Sequence, residues 1–311
     1  MRKALLIIES AEWGNIHRSI YEGLQVAGLP CWPLVLPRDS CGTLAENSQA
    51  AASCAAQDRF GMVILVGPND HLDETALYNT RAQGKRVVSI QLDDPWGLDH
   101  SKVRLTGQYD EVLTSDPDCV ARYQALGAAS VQYMPFGYDP QVFALQAASE
   151  PPNRAILVGS AYTGRASRIA ALRLRGINII CAGPGWPGGR RYPAWAMPGL
   201  FRSTSICLNC ADQPDGKPAL KIRPFEVAGT GGGCLLTERW PGCDDLFTDG
   251  KECIYWSSTN ELAEKVRWLL GEPLRCRTLS KAAYKRARAE HTWETRLTPH
   301  VARWKELLNC G

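Results

Sequence analysis

The sequence has no uninterrupted apolar run near the roughly 18 residues that a membrane-crossing helix needs, so no span is expected. It has little excess charge: 35 Lys and Arg against 32 Asp and Glu leave +3 at pH 7, which neither demands nor excludes an anionic partner. Histidines number five, and His71, His100 and His300 sit in no partner pattern. The glycine loop at Gly159 is not of the GxGxxG or Walker kind, and no low-complexity tract is present. With 45% hydrophobic, 22% charged and 8% aromatic residues the composition is that of a globular chain, which excludes collagenous and wholly disordered classes. After Met1, Arg2 and Lys3 the apolar stretch Ala4 to Ile8 is too short for an export signal and is interrupted by Glu9. It reads as a first strand, and a cytoplasmic location is expected.

Cysteine, by contrast, is abundant, with twelve scattered along the chain, and without an export signal free thiols are expected. Cys207 and Cys210 form the one CxxC. Leu208 and Asn209 between them continue an apolar run and no second pair lies at zinc-site spacing, so both read as structural.

At roughly 150 residues per domain, 311 residues predict two domains. Residues 3–10, 31–36, 61–67, 86–92, 111–115 and 131–136 are short apolar runs separated by stretches long enough for crossover helices, the pattern of a parallel sheet. Ile16, Ile20, Leu24 and Ala27 share one face of a first helix, and Gly28 is a natural stop. A polar, proline-bearing linker is expected from Glu150 to Asn153. Ala155 to Gly159 then begins the strand, loop and helix order afresh, with further strands at 178–182, 205–209, 234–237 and 253–256 and a helix from about Arg223. Residues 261–308 are helical by periodicity, with Trp268, Leu269, Trp293, Val301, Trp304 and Leu308 as apolar anchors. The halves share element order but no matching motif. The fold expected is α/β, two Rossmann-like parallel-sheet domains at 1–150 and 151–290 facing a cleft, with ligands at the carboxyl ends of the strands.

Lys221-Ile-Arg-Pro-Phe-Glu226 followed by Val227 to Gly233 carries the most chemistry. Pro224 suits a first helical turn, so Lys221 and Arg223 flank a helix N-terminus, where backbone amides and the helix dipole attract phosphate. Glu226, about a turn in, could accept from ribose hydroxyls; a basic helix start with a solvated glutamate and a glycine turn is the plainer reading. Gly159 and Ser160 open a small-residue loop that lets amides approach a phosphate, and Arg165 could pair with it. Asp93 and Asp94 end the run Val87 to Leu92 at the ligand edge, where one could accept or orient an acceptor proton. An Asp-Pro turn capping the next segment fits equally. His17, beside the loop Ser10 to Asn15, is a second base candidate or an exposed helix histidine, and Glu12 stands nearby. Gly183 to Arg191 could touch phosphate or form a surface turn, and only Trp13, Trp96 and Trp186 fall on loops where a sugar could stack.

The order and spacing of several motifs resemble the CgeB-like glycosyltransferases, also described as spore-maturation-protein-like and related to the group 1 glycosyltransferases of GT-B fold. They are Asp93-Asp94-Pro95, Tyr133 to Asp139, Leu157-Val158-Gly159-Ser160 with Arg165, Arg223-Pro224-Phe225-Glu226 and its glycines, Leu246-Phe247 with Gly250-Lys251-Glu252, Glu261-Leu262, and His291-Thr292-Trp293. The resemblance implies sugar transfer from a nucleotide diphosphate sugar of UDP or GDP type to a glycan, small-molecule or modified-base acceptor, with no cofactor and no essential metal. It assigns Arg223, Lys221, Glu226, Arg165, Gly159, Ser160, Gly231 and Gly232 to the donor. The catalytic base falls to Asp94, Asp93 or His17 in the first domain, and the helix 291–311 is to pack back on that domain. His291-Thr292-Trp293 reads as architecture, Thr292 capping that helix. The family's sugar-contacting glutamate falls on Pro218, and Asp212 and Asp215 are its candidate replacements, both expected on a solvated loop. A nucleotide-sugar epimerase-like enzyme of the same plan and a catalytically silent nucleotide- or glycan-binding module are the alternatives.

Overall fold

The computed structural model describes residues 2–12, 15–36, 44–67, 73–100, 103–144, 151–213 and 215–309. They divide into two compact units, one formed by Met1–Phe136 with Trp293–Gly311 and the other by Gly137–Thr292. Each is a parallel sheet with helical crossovers.

In unit 1 the chain runs β1 (Lys3–Ile8), α1 (Ile16–Val26), β2 (Cys31–Val35), α2 (Leu44–Ala55), β3 (Phe60–Val66), α3 (Glu74–Ala82), β4 (Arg86–Gln91), α4 (Trp96–His100), β5 (Glu111–Thr114), α5 (Cys119–Ala125) and β6 (Val131–Tyr133). The sheet order is β2-β1-β3-β4-β5-β6, all pairings parallel. Ala4 to Ile8 are all fully buried, because a sheet with helices on both faces leaves neither side of a central strand to solvent. That is why this strand reads as a continuous apolar run rather than an alternation.

Unit 2 repeats the plan with β7 (Ala155–Val158), α6 (Thr163–Leu174), β8 (Ile179–Ala182), α7 (Met197–Arg202), β9 (Ile206–Asn209), α8 (Arg223–Thr230), β10 (Cys234–Glu238), β11 (Ile254–Trp256), α9 (Thr259–Leu270) and α10 (Pro273–Glu290). Its order is β11-β10-β9-β7-β8, again parallel. Leu157, Leu208, Leu236 and Trp256 from the strands pack with Ile169, Leu262 and Val266 from α6 and α9.

The last helix, α11 (Trp293–Asn309), returns to unit 1. Trp293, Leu297, Val301, Trp304 and Leu308 line its buried face. Gly23 of α1 has no side chain because a Cβ there would lie 2.8 Å from that of Trp293. Buried Glu111 at the start of β5 anchors the other end: it accepts from Trp304 Nε1 at 2.8 Å, is ion-paired with Arg303, and lies 3.8 Å from His300 Nδ1. Burial would raise the Glu111 pKa, but the neighbouring His300, the hydrogen bond from Trp304 and the charge of Arg303 outweigh it and hold the carboxyl below its usual range.

The chain leaves unit 1 at Phe136, ahead of the linker expected from Glu150 to Asn153, of which Glu150 lies outside the described residues. The reason is contact. Tyr138 N donates to His291 O at 2.9 Å and the Tyr138 ring covers Gly229, Phe143 stacks on Phe201, and Arg202 donates to Ala144 O at 3.1 Å. Residues 137–144 therefore fold with unit 2.

Candidate functional site

In both sheets the first strand lies between the second and the third, so the loops after the first and third strands leave in opposite directions and open a crevice at the carboxyl edge. In unit 2 those loops begin at Gly159 after β7 and at Cys210 after β9. Arg165, in the first turn of α6 and 9% exposed, spans them: it donates to Ser160 O at 3.3 Å and Cys210 O at 3.0 Å, and its guanidinium lies over the Tyr162 ring at 4.9 Å. Its Nε has no hydrogen-bond partner and stands 4.0 Å from Asp212 Oδ2. No side chain caps α6, and its first turn carries no acid, so the positive end of the helix dipole and this cation act together. The arrangement suits an anion.

Beside it is a buried charge cluster. Arg168 is ion-paired with Asp212 and reaches Glu238 Oε1 at 2.8 Å, while Glu238 Oε2 accepts from Ala211 N at 2.9 Å. Burial, and then the hydrogen bond and charge of Asp212, push the Glu238 carboxyl up to about 7. Below about that value Glu238 holds its proton. Asp212 is 2% exposed, which overturns its expected place on a solvated loop. An antiparallel bridge between Asp212 and Pro218 folds the segment so that Asp212 meets Arg168. Asp215 stays exposed, 3.6 Å from Lys217 Nζ.

The α8 start also lies at the carboxyl edge, since it follows β9. Arg223 is its first residue and is ion-paired with Glu226 in the same turn, over the Phe201 ring at 5.5 Å; Lys221 precedes it, half-buried. Glu226 is not solvated, and burial pushes its carboxyl up against the opposing charge of Arg223. Unlike α6, this helix start already carries its own carboxylate. Gly231 and Gly232 must be separated from it: they lie at the far end of α8, leading into the amino end of β10. Gly231 ends the helix at φ +57°, and a Cβ on Gly232 would lie 2.7 Å from Phe201 O. They serve helix termination and packing.

Trp186 does not present a stacking face, because it is buried in the unit 2 core and donates to Gly159 O at 2.8 Å. Trp96 is half-buried and stacks on His100 at 3.5 Å. Trp13 and His71 lie outside the described residues. Arg190 and Arg191 are exposed. His291 is buried in unit 2 with Nε2 2.9 Å from Leu246 O, in keeping with an architectural motif. All ten cysteines among the described residues are free thiols, and burial pushes those of Cys207 and Cys210 up to about 12, which leaves them inert.

In unit 1, Asp93 is exposed at the end of β4 and its carbonyl accepts from Gly97 N at 2.7 Å, which starts α4. Asp94 is 2% exposed and accepts from Thr114 Oγ1 at 2.7 Å and Tyr123 OH at 3.1 Å. Such an acceptor ties β4 to β5 and α5, the turn reading of Asp-Pro rather than the basic one. His17 is buried, not an exposed helix histidine, and faces Glu9, the residue after β1. Glu12 is exposed. Arg168, Glu238 and Glu9 were not among the candidates. Their signal was position: an acid closing a parallel strand, and a second arginine one turn beyond Arg165. Among the described residues no group of three His, Cys, Asp or Glu is placed to hold a metal ion.

Residues 165–302 match a family described as glycosyl transferase-like, a stretch that begins at Arg165. No curated protein matches the chain. The fold is that of solved GT-B structures. Anabaena Alr3699/HepE, solved with UDP and glucose, aligns with a TM-score of 0.68 at 12% identity over 98% of this chain and 100% of that one. Sucrose-phosphate synthase from Thermosynechococcus elongatus aligns at 0.71 and 12% identity over 100% of both chains. The α,α-trehalose 6-phosphate synthase of Burkholderia multivorans aligns at 0.71 and 10% identity over 100% of this chain and 98% of that one.

Proposed function

We propose that this chain is a glycosyltransferase that moves a sugar from a nucleoside diphosphate sugar to an acceptor hydroxyl, in the CgeB-like group that its motifs resemble. The observation that carries the reading is Arg165 bridging the loops after β7 and β9 at an uncapped helix start. The donor diphosphate would sit there, held by the first-turn amides of α6, the Gly159–Ser160 loop and Arg165, with Arg223 and Lys221 on its other side and Glu226 toward the ribose. The UDP, glucose and UDP-glucose bound in the HepE structures support UDP as the carrier. As the bond from C1 to the leaving oxygen breaks, negative charge grows on the diphosphate, and fixed cations and helix amides stabilise that charge more than the ground state.

In this reading the cations do what a bound metal does elsewhere, so activity survives EDTA; loss on chelation with rescue by manganese would defeat the metal-independent form. No helix among the described residues is long and apolar enough to cross a membrane, and we place the reaction in the cytoplasm. Thermal shift with UDP, GDP, dTDP and their sugars tests the donor. A ligand at 100 times its Kd adds about 2.7 kcal/mol to stability, and no shift with any of them would remove the donor site.

A further inference from the structure

In unit 2, β9 and β10 run side by side in parallel with Thr237 opposite Asn209, so Glu238 at the end of β10 and Cys210 just after β9 come next in the same register. The peptide that joins Cys210 to Ala211 is gripped from both sides. Its N–H, on Ala211, donates to Glu238 Oε2 at 2.9 Å, and its carbonyl, on Cys210, accepts from Arg165 Nη2 at 3.0 Å. A trans peptide is planar and points its N–H and C=O in opposite directions, so a carboxylate that fixes the one direction fixes the other. The other oxygen of Glu238 accepts from Arg168 Nη2 at 2.8 Å, and Arg168 is in turn ion-paired with Asp212 and lies over the Trp256 ring at 5.3 Å. Glu238 is thereby braced against three elements of the unit.

The second carbonyl on Arg165, that of Ser160, is the longer contact at 3.3 Å. Without the Cys210 carbonyl the guanidinium is free to swing toward Asp212, whose buried Oδ2 has no hydrogen-bond partner and stands 4.0 Å from Arg165 Nε. A cation closed on that carboxylate is lost to an anionic ligand. We infer that Glu238 is a positioning residue of the donor site: through the Cys210–Ala211 peptide it aims Arg165, with Arg168 as its brace. The inference rests on the donor reading above and adds to it how the cation is kept available.

The test measures UDP affinity of the full chain by calorimetry in a cycle of variants, with circular dichroism to confirm the fold. Glu238→Asp keeps the charge but, one methylene shorter, cannot hold Arg168 and Ala211 N together. It is expected to weaken UDP binding about fivefold, the scale of one hydrogen bond. Glu238→Gln loses the charge but keeps an oxygen for Ala211 N, and should stay within about twofold of the parent. In an Arg165→Ala background Glu238→Asp should cost nothing further, because its effect passes through Arg165. Should Glu238→Asp fail to fold, Arg168→Lys takes its place in the cycle. An ammonium cannot fork to two carboxylates, so about threefold weaker binding is expected, again only where Arg165 is present. Parent affinity in these folded variants, or the same loss with Arg165 absent, overturns the inference alone. So does tighter binding in Glu238→Gln with parent affinity in Glu238→Asp, since Glu238 then acts by charge only. A parent that binds no UDP, or an Arg165→Ala protein that binds it as tightly as the parent, overturns the donor reading and the inference with it.

Discussion

The two units share one strand order, the first strand flanked by the second and the third, and each sends a residue from the first turn of its first helix across the loops after strands one and three. In unit 1 that residue is His17, and its partner is Glu9. In unit 2 it is Arg165, beside Asp212, with Arg168 and Glu238 behind. The same backbone thus presents an imidazole beside a carboxylate in one unit and fixed positive charge in the other. Topology determines where a ligand meets the sheet, and a few side chains determine which chemistry occurs there.

Removing the cation of unit 2 should have the largest effect. Arg165→Ala is expected to weaken UDP binding by about 10- to 150-fold, the scale of one charged hydrogen bond of about 1.5–3 kcal/mol, read by calorimetry with circular dichroism to confirm the fold. Equal affinity in a folded variant would erase the distinction between the units. Glu111→Ala should act on unit 1 through stability only, costing about 1–3 kcal/mol in urea unfolding because Trp304 Nε1 loses its acceptor in a buried setting. A loss of UDP affinity without a loss of stability would contradict this.

Arg223→Ala is expected to lower turnover roughly tenfold, about 1.4 kcal/mol, less than Arg165 because Glu226 already neutralises it within α8. A larger loss than that of Arg165→Ala would shift the diphosphate toward α8. The smallest effect concerns pH. Glu238 holds its proton to about 7 in the folded chain against an ordinary carboxyl value of 4.5, so between those values the folded state binds more protons than the unfolded one. Stability contributed by this group therefore falls as pH rises through that window, by at most about 1.4 kcal/mol per pH unit. Glu238→Gln should remove that part of the slope, and unfolding curves from pH 5 to 7 that stay parallel in the two proteins would refute the assignment.

Much of the fold was legible because parallel strands covered on both faces must be continuous apolar runs: 31–36, 86–92 and 234–237 each fell within a residue of β2, β4 and β10. The α8 start was legible from Pro224, which tolerates a first turn and little else. What was hidden depends on residues far apart in the chain. Asp94 looked like a base until Thr114 and Tyr123, 20 and 29 residues on, were seen to donate to it. Asp212 looked solvated because Arg168 and Glu238 reach it only through the parallel crossover. Gly231 and Gly232 followed the charged motif in sequence, yet a two-turn helix carried them to the opposite edge of the sheet.

A crystal structure with UDP bound tests the central claim most directly. The diphosphate is predicted within hydrogen-bond distance of the Arg165 guanidinium and the first-turn amides of α6, at the carboxyl ends of β7 and β9. A UDP seated elsewhere, with Arg165 still engaged only by Ser160 and Cys210 carbonyls, would contradict it.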